Sequence, residues 1–248
     1  MSIQEKLITF AFEKAYPYII EQAFIKDHLS KISFILVGSA ATGLCKVDSD
    51  VDICLICDQG TFESIAVGTR WLNGRPTEVI IDGMQLHYYG ISIDSLNKKI
   101  ADMDNHALYV YRNAIVINDT TGHYKQIADR ICNPVLLAER RNHEVEMLRR
   151  RKISLHYVLN GDTDPMVRIE LCSELLKRLL ICIALFDDRE CDCWKRTYQT
   201  ALLGNAGMEL APKVDEMFAL LGAVANPDNH KDATKFLMHF DDCFDRIS

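Results

Sequence analysis

"ILVGSAATGLCKVDSDVDICLI", residues 35–56, places two apolar runs on either side of a small, polar stretch that ends in Asp50 and Asp52. The first run begins upstream as ISFILV (32–37) and stops at Gly38; the second is VDICLIC (51–57). Continuous runs of this length, rich in β-branched residues, predict two buried strands. Alternate side chains on a strand share a face, so Asp50 and Asp52 project to one side and Val51, Ile53 and Leu55 to the other. Two carboxylates that close repel each other unless a cation sits between them.

Hard oxygen ligands of this kind suit Mg²⁺, which binds through one or two carboxylates together with substrate phosphates. Upstream, Gly38 and Ser39 follow a strand and open a short helical turn. A glycine there lets backbone approach a phosphate, and N–H groups with a serine hydroxyl can hold its oxygens. Phosphate cradle and metal pair together describe phosphoryl or nucleotidyl transfer. The competing reading is an Asp-rich surface turn capped by Ser49. Strand, Gly-Ser turn and second strand in succession favour the first, with Ser49 counted beside Gly38 and Ser39 as a nucleotide contact.

The rest of the chain sets bounds on that chemistry. Its 248 residues allow one large domain or two modest ones with a substantial core. A net charge of −7 argues against a broad grip on long DNA or RNA, which needs a basic surface. Nine cysteines, mostly inside apolar periodic runs, read as free thiols acting as small hydrophobes. Cys54 and Cys57 form a C-x-x-C, but an offset of three on a strand sends them to opposite faces, against a zinc site. The N-terminus lacks a leader-like pattern and no apolar run reaches the roughly 18 residues of a membrane span, so a reduced, cytoplasmic protein with no membrane partner is expected.

Two textures follow each other along the chain. Residues 3–28 predict one or two helices with Pro17 as a break; 61–72 predict a helix, and another is expected near 94–103. EVIIDGMQLHYYGIS (78–92) carries Asp82-Gly83 between strand-like runs, a strong hairpin signal, and ALYVYRNAIVIND (107–119) reads as a strand. From Pro134 the pattern turns helical, over about 134–159, 164–186, 193–203, 208–224 and 229–246. The expected organisation is an α/β domain (1–132) with a mixed sheet, then an all-α helical bundle (133–248).

Gly38-Ser39, ten residues, then Asp50-Val51-Asp52 between apolar flanks resembles the signature of the DNA polymerase β-like nucleotidyltransferases. The resemblance implies a mixed-sheet palm, two Mg²⁺ ions, and attack of an acceptor on the α-phosphate of a nucleoside triphosphate with release of pyrophosphate. It implies metal ligation by Asp50 and Asp52, and triphosphate contacts from Gly38 and Ser39. A third carboxylate on a neighbouring strand is also implied, with Glu63, Glu78 and Asp82 as candidates. Glu63 sits at a helix start, where an acid suits the dipole, and Asp82 is occupied by the hairpin turn. Glu78 remains, in RPTEVII, which is similar to the matching strand of aminoglycoside adenylyltransferases acting on streptomycin and spectinomycin. That similarity implies for Glu78 the part of third metal ligand and base.

A two-residue Asp82-Gly83 loop pairs Ile81 with Met84, Ile80 with Gln85, Val79 with Leu86 and Glu78 with His87. Cross-strand partners share a face, so Glu78, Ile80, Gln85 and His87 lie together, away from the core face. His87 is then an orienter of the base or a contact to the acceptor, or a half-exposed sheet histidine without a task.

On the helix ERRNHEVEMLRRRK (139–152), most of Arg140, Arg141, Arg149, Arg150, Arg151 and Lys152 read as a solvated face paired with Glu139, Glu144 and Glu146. Residues 165–186 are apolar around much of their circumference and predict the central helix of the bundle. Lys177 on it is a candidate phosphate contact or a snorkelling lysine. Trp194-Lys195 resembles the Lys/Trp junction of nucleotidyltransferases with helical C-terminal domains, which implies a nucleotide contact for Lys195. Arg151 and His156 resemble the Arg-x₄-His motif of HEPN ribonucleases, although the polar residue that usually follows the arginine is missing.

These readings give an enzyme that moves a nucleoside monophosphate, AMP from ATP, onto a hydroxyl of a small molecule such as an aminoglycoside. A protein or tRNA acceptor, as in toxin–antitoxin nucleotidyltransferases, is the first alternative. A nucleotide-binding or interaction module with a HEPN-like helical half is the second.

Overall fold

The computed structural model describes residues 1–69, 71–161, 163–191, 197–226 and 228–248. They form two compact units, Met1–Asn133 and Pro134–Ser248. The first is α/β with a mixed sheet and the second is helical.

In the first unit, α1 (Ile3–Phe10) is capped by Ser2 and Glu5 in a reciprocal capping box. It runs on through a π-helical turn (Ala11–Ala15) into α2 (Tyr16–Ile20). Pro17 therefore does not end the helix as expected. The wider π turn lies where the missing proline N–H and its ring would have disrupted α-helical bonding. A short α3 (Ala23–Lys26) leads to β1 (Ile32–Val37), wholly buried, then α4 (Gly38–Thr42) and β2 (Val51–Cys57). The helix expected over 61–72 is α5 (Gln59–Ala66), capped by Asp58, with a separate 3₁₀ turn at Trp71–Asn73.

β3 (Thr77–Ile81) and β4 (Met84–Ser92) form the hairpin in the register read from the sequence, Glu78 opposite His87. Asp82 (φ 50°) and Gly83 (φ 81°) both have positive φ, the signature of a type I′ turn whose twist suits a hairpin. After α6 (Ile93–Ala101), the stretch expected as one strand is instead a helix and a strand: α7 (Asn105–Arg112) and β5 (Ile115–Asn118). Asp104 caps α7 by accepting from Ala107 N at 3.0 Å, and the helix buries Ala107, Leu108 and Tyr111 at i, i+1 and i+4. Helical spacing outweighs the β-propensity of valine and tyrosine. α8 (His123–Ile131) closes the unit.

The sheet order is β3-β4-β2-β1-β5, with β4 parallel to β2 and the other pairs antiparallel. Phe34, Leu36, Ile53, Leu55, Leu86 and Tyr88 share one core with Phe10, Ile19 and Ile65 from the N-terminal helices and α5. On the opposite face, Ile35, Cys54 and Ile56 are also fully buried, and α6 and α8 pack on that side. The Asp119 carboxylate accepts from Tyr124 N (3.1 Å), Lys125 N (2.8 Å) and the buried Ser33 hydroxyl, fixing α8 to β1.

The second unit comprises α9 (Pro134–Asn160), α10 (Pro165–Phe186), α11 (Thr197–Ala201), α12 (Asn205–Leu220) and α13 (His230–Ile247). α10 is its centre: Leu175, Leu176, Leu179 and Ile183 pack with Leu148 and Leu155 of α9, Val214 and Met217 of α12, and Phe236 and Phe240 of α13. Arg149 and Arg150 pair with Glu146 at 2.8 Å each, the solvated pairing expected, whereas Lys152 pairs across to Asp241 of α13 at 3.0 Å. Arg140 departs from it, being buried against the buried Glu190. His156 binds Asp241 at 3.1 Å.

Arg168 is fully buried and donates to the carbonyls of Val224 (2.7 Å), Val158 (2.9 Å), Gly161 (3.1 Å) and Leu159 (3.2 Å). Three of these belong to the end of α9 and the loop after it, where a helix leaves its last carbonyls without intrahelical donors.

Candidate metal centre

β1 ends at Val37, which pairs with Asp52, so the turn that follows passes directly over the Asp52 carboxylate. Gly38 makes that turn with φ 72°, and a Cβ placed on it would lie 2.3 Å from Asp52 Oδ2. A side chain there is excluded by contact as well as by backbone conformation. Ser39 follows, half-buried, and the Thr42 hydroxyl donates back to the Gly38 carbonyl at 3.2 Å. The chain returns through a turn in which the Ser49 hydroxyl accepts from Lys46 N at 2.7 Å. Ser49 thus shapes the turn that delivers Asp50.

Asp50 and Asp52 come together with His87. The parallel pairing of β2 and β4 sets Asp52 beside His87, and the imidazole Nδ1 lies 2.9 Å from Asp50 Oδ2 and 3.6 Å from Asp52 Oδ1. The three side chains are partly exposed, and one donor atom from each lies within 4.8 Å of the others. On the far side of the ring, His87 Nε2 is 2.9 Å from the Gln85 carboxamide nitrogen.

Glu78 lies opposite His87 on the outer strand, as the hairpin register requires, and is exposed. The group able to hold a cation among the described residues consists of Asp50, Asp52 and His87, without Glu78. A cavity of about 900 Å³ opens beside the outer strand, lined in part by Phe24, Thr69, Arg75, Thr77 and Glu78. Lys177 is exposed on α10 of the second unit, and Lys195 lies outside the described residues. Asp82 is held by the turn and pairs with Lys14 at 3.3 Å.

One step deeper on the same sheet face, Cys54 pairs in register with Tyr89 and its thiol is 3.7 Å from the Tyr111 hydroxyl. Burial pushes the Cys54 thiol up to about 12, against the opposing effect of hydrogen bonds to Tyr111 and Tyr89. Burial, then the neighbouring Cys54 and Asp52, holds the Tyr89 hydroxyl well above its ordinary value. The floor beneath the two aspartates therefore stays neutral at physiological pH. Cys57, three residues on, points into the opposite core and is likewise raised to about 12 by burial.

Sequence reasoning brought out the two aspartates, Gly38 and the Glu78–His87 pairing. It missed the contact of His87 with both aspartates, because β2 and β4 are parallel and no local turn announces their register. Gln85 was placed on the correct face without a role.

Two carboxylates and an imidazole that can all offer lone pairs to one point fit a divalent cation, and the glycine at position 38 keeps that point uncrowded. Residues 19–110 match the family model described as the nucleotidyltransferase domain. A solved structure, the nucleotidyltransferase-like protein from Exiguobacterium sibiricum 255-15, superposes with a TM-score of 0.51. That likeness spans 99% of this chain and 75% of the other at 10% identity, and it establishes a shared fold. No curated protein sequence matches the chain. The match to the family model, together with the grouping of Asp50, Asp52 and His87 on the interior strands β2 and β4 and the turn before β2, fits metal-dependent nucleotidyl transfer. Among the described residues no helix is long and apolar enough to cross a membrane.

Proposed function

We propose that the chain transfers AMP from ATP to a hydroxyl of a small acceptor such as an aminoglycoside and releases pyrophosphate. The observation that carries this reading is the convergence of Asp50, Asp52 and His87 beside Gly38 within the matched domain. Asp50 and Asp52 are the residues that would hold two Mg²⁺ or equivalent cations, through their carboxylates. Cations held there would supply neutralisation of the triphosphate charge and Lewis-acid activation of the acceptor hydroxyl. The backbone around Gly38 and the Ser39 hydroxyl bind and orient the triphosphate, with Ser49 setting the turn beside them. Glu78 takes the proton of the acceptor hydroxyl, and its exposure leaves it open to a substrate arriving from solvent.

The cavity along the outer strand, about 900 Å³, falls in the range of small-molecule sites and brings Glu78 to its wall. The chain's net charge of −7 favours approach of a polycationic antibiotic. A tRNA acceptor is the weaker reading, since Arg149, Arg150 and Lys152 are each engaged by acids of their own unit.

The test is transfer of label from α-labelled ATP, with Mg²⁺, to a panel of aminoglycosides. Labelling of one antibiotic by wild type and none by Asp52→Ala supports the reading in full. Labelling of protein or tRNA in place of every antibiotic would move the acceptor to the macromolecular class.

A further inference from the structure

We propose that His87 Nδ1 completes a cation position with Asp50 and Asp52, so that this site prefers Mn²⁺ over Mg²⁺; this rests on the nucleotidyl-transfer reading and specifies its metal. His87 Nδ1 stands 2.9 Å from Asp50 Oδ2 and 3.6 Å from Asp52 Oδ1. Donors bonded at about 2.1 Å to one ion, and adjacent around it, stand about 3 Å apart or slightly more. The side chain is only 18% exposed, so the ring has little freedom to turn away from the aspartates.

The partner on the other ring nitrogen fits the same role. A ligating histidine is commonly fixed by a hydrogen bond from its second nitrogen, which sets the tautomer. Gln85 stands at that nitrogen, 2.9 Å from Nε2. A carboxamide can present an N–H or, turned by half a rotation, its oxygen. With Nδ1 bound to a cation, Nε2 carries the proton and the Gln85 oxygen accepts it. Without a cation, Nδ1–H donates to Asp50 and the Gln85 N–H donates to Nε2. The same two neighbours satisfy the ring in both states.

The donor set then decides the metal. Magnesium demands a tight octahedron of oxygens, whereas first-row transition ions accept imidazole readily. Glu78, which could have supplied a third oxygen, stands outside the group. Two hard carboxylates keep the site suited to a six-coordinate ion that also binds phosphate oxygens, which points to Mn²⁺ within the transition series.

The experiment titrates the full-length chain with Mn²⁺ and with Mg²⁺ in the absence of nucleotide, and records pulsed electron paramagnetic resonance of the Mn²⁺ complex. Wild type is expected to show nitrogen coupling from a directly bound imidazole and to bind Mn²⁺ at least about tenfold more tightly than Mg²⁺. His87→Ala and His87→Asp should lose the nitrogen signal, and His87→Asp should lower the Mn²⁺:Mg²⁺ affinity ratio by about tenfold. Melting curves identify the folded variants, and His87→Gln replaces any that fails to fold. Wild-type Mn²⁺ binding that is lost in Asp52→Asn but unchanged in the His87 variants, with no nitrogen coupling, overturns His87 as ligand and leaves the aspartate site standing. Binding that survives Asp52→Asn overturns the aspartate site itself.

Discussion

Gly38 and Asp52 approach each other so closely that a Cβ on the glycine would lie 2.3 Å from the aspartate Oδ2. Gly38 directly follows β1, Asp52 is the second residue of β2, and the carboxylate occupies the space a side chain would need. Gly38→Ala must therefore either move the Asp52 carboxylate or distort the turn. It also places alanine at φ 72°, which costs about 1–2 kcal/mol by itself. Misplacing a catalytic group by about 1 Å costs on the order of 10²-fold in rate, so pyrophosphate release should fall at least that far, with a lower melting temperature. Unchanged activity and melting in Gly38→Ala would show that this close approach has no part in the chemistry.

The cysteines divide by burial. Cys54 and Cys57 are raised to about 12, and Cys172 and Cys182 likewise, all through desolvation, whereas Cys132 is exposed. Only thiolate reacts with disulfide reagents, and a thiol at about 12 is almost wholly protonated at pH 8. Mass-spectrometric mapping of native protein labelled at pH 8 should find Cys132 modified first and Cys54 only after denaturation. Native labelling of Cys54 at the rate of Cys132 would mean that the site floor is open to water.

Arg168 ties four carbonyl oxygens with one buried guanidinium. Arg168→Met fills similar volume but supplies no donors, leaving those acceptors buried and unsatisfied. A loss of about 3 kcal/mol or more is expected, read as a fall in the urea midpoint of the transition that reports the helical unit. Lys177→Met, at an exposed position on the same helix, should leave that midpoint nearly unchanged.

What was legible in the sequence follows from how local each signal is. The Asp82-Gly83 turn encodes its own register in two residues, and the pairing of Glu78 with His87 was read without any tertiary knowledge. The strand–turn–strand from Ile32 to Cys57 was equally plain, since its apolar runs are continuous and a glycine directly ends the first of them. The pairing of Asp52 with His87 joins segments separated by α5 and the first strand of the hairpin, and its parallel geometry leaves no mark in either segment. Residues 105–112 misled because β-favouring side chains sit on a helix started by Asp104. Arg140 and Arg168 were hidden by their type: charge predicts a solvated face, and only the burial of Glu190 and of the four carbonyls around them makes an arginine core residue possible.

The measurement to make is pyrophosphate release from ATP with divalent metal, in the presence of an aminoglycoside panel, for wild type and for Asp50→Asn and Asp52→Asn. Asparagine keeps the size of each side chain and removes one charge, so both variants should fold. Release in wild type that needs added metal, and that drops by about 10³-fold or more in each variant, is the predicted result. Release that persists in both folded variants, or that proceeds equally well after metal is chelated, would contradict metal-dependent transfer at this pair of aspartates.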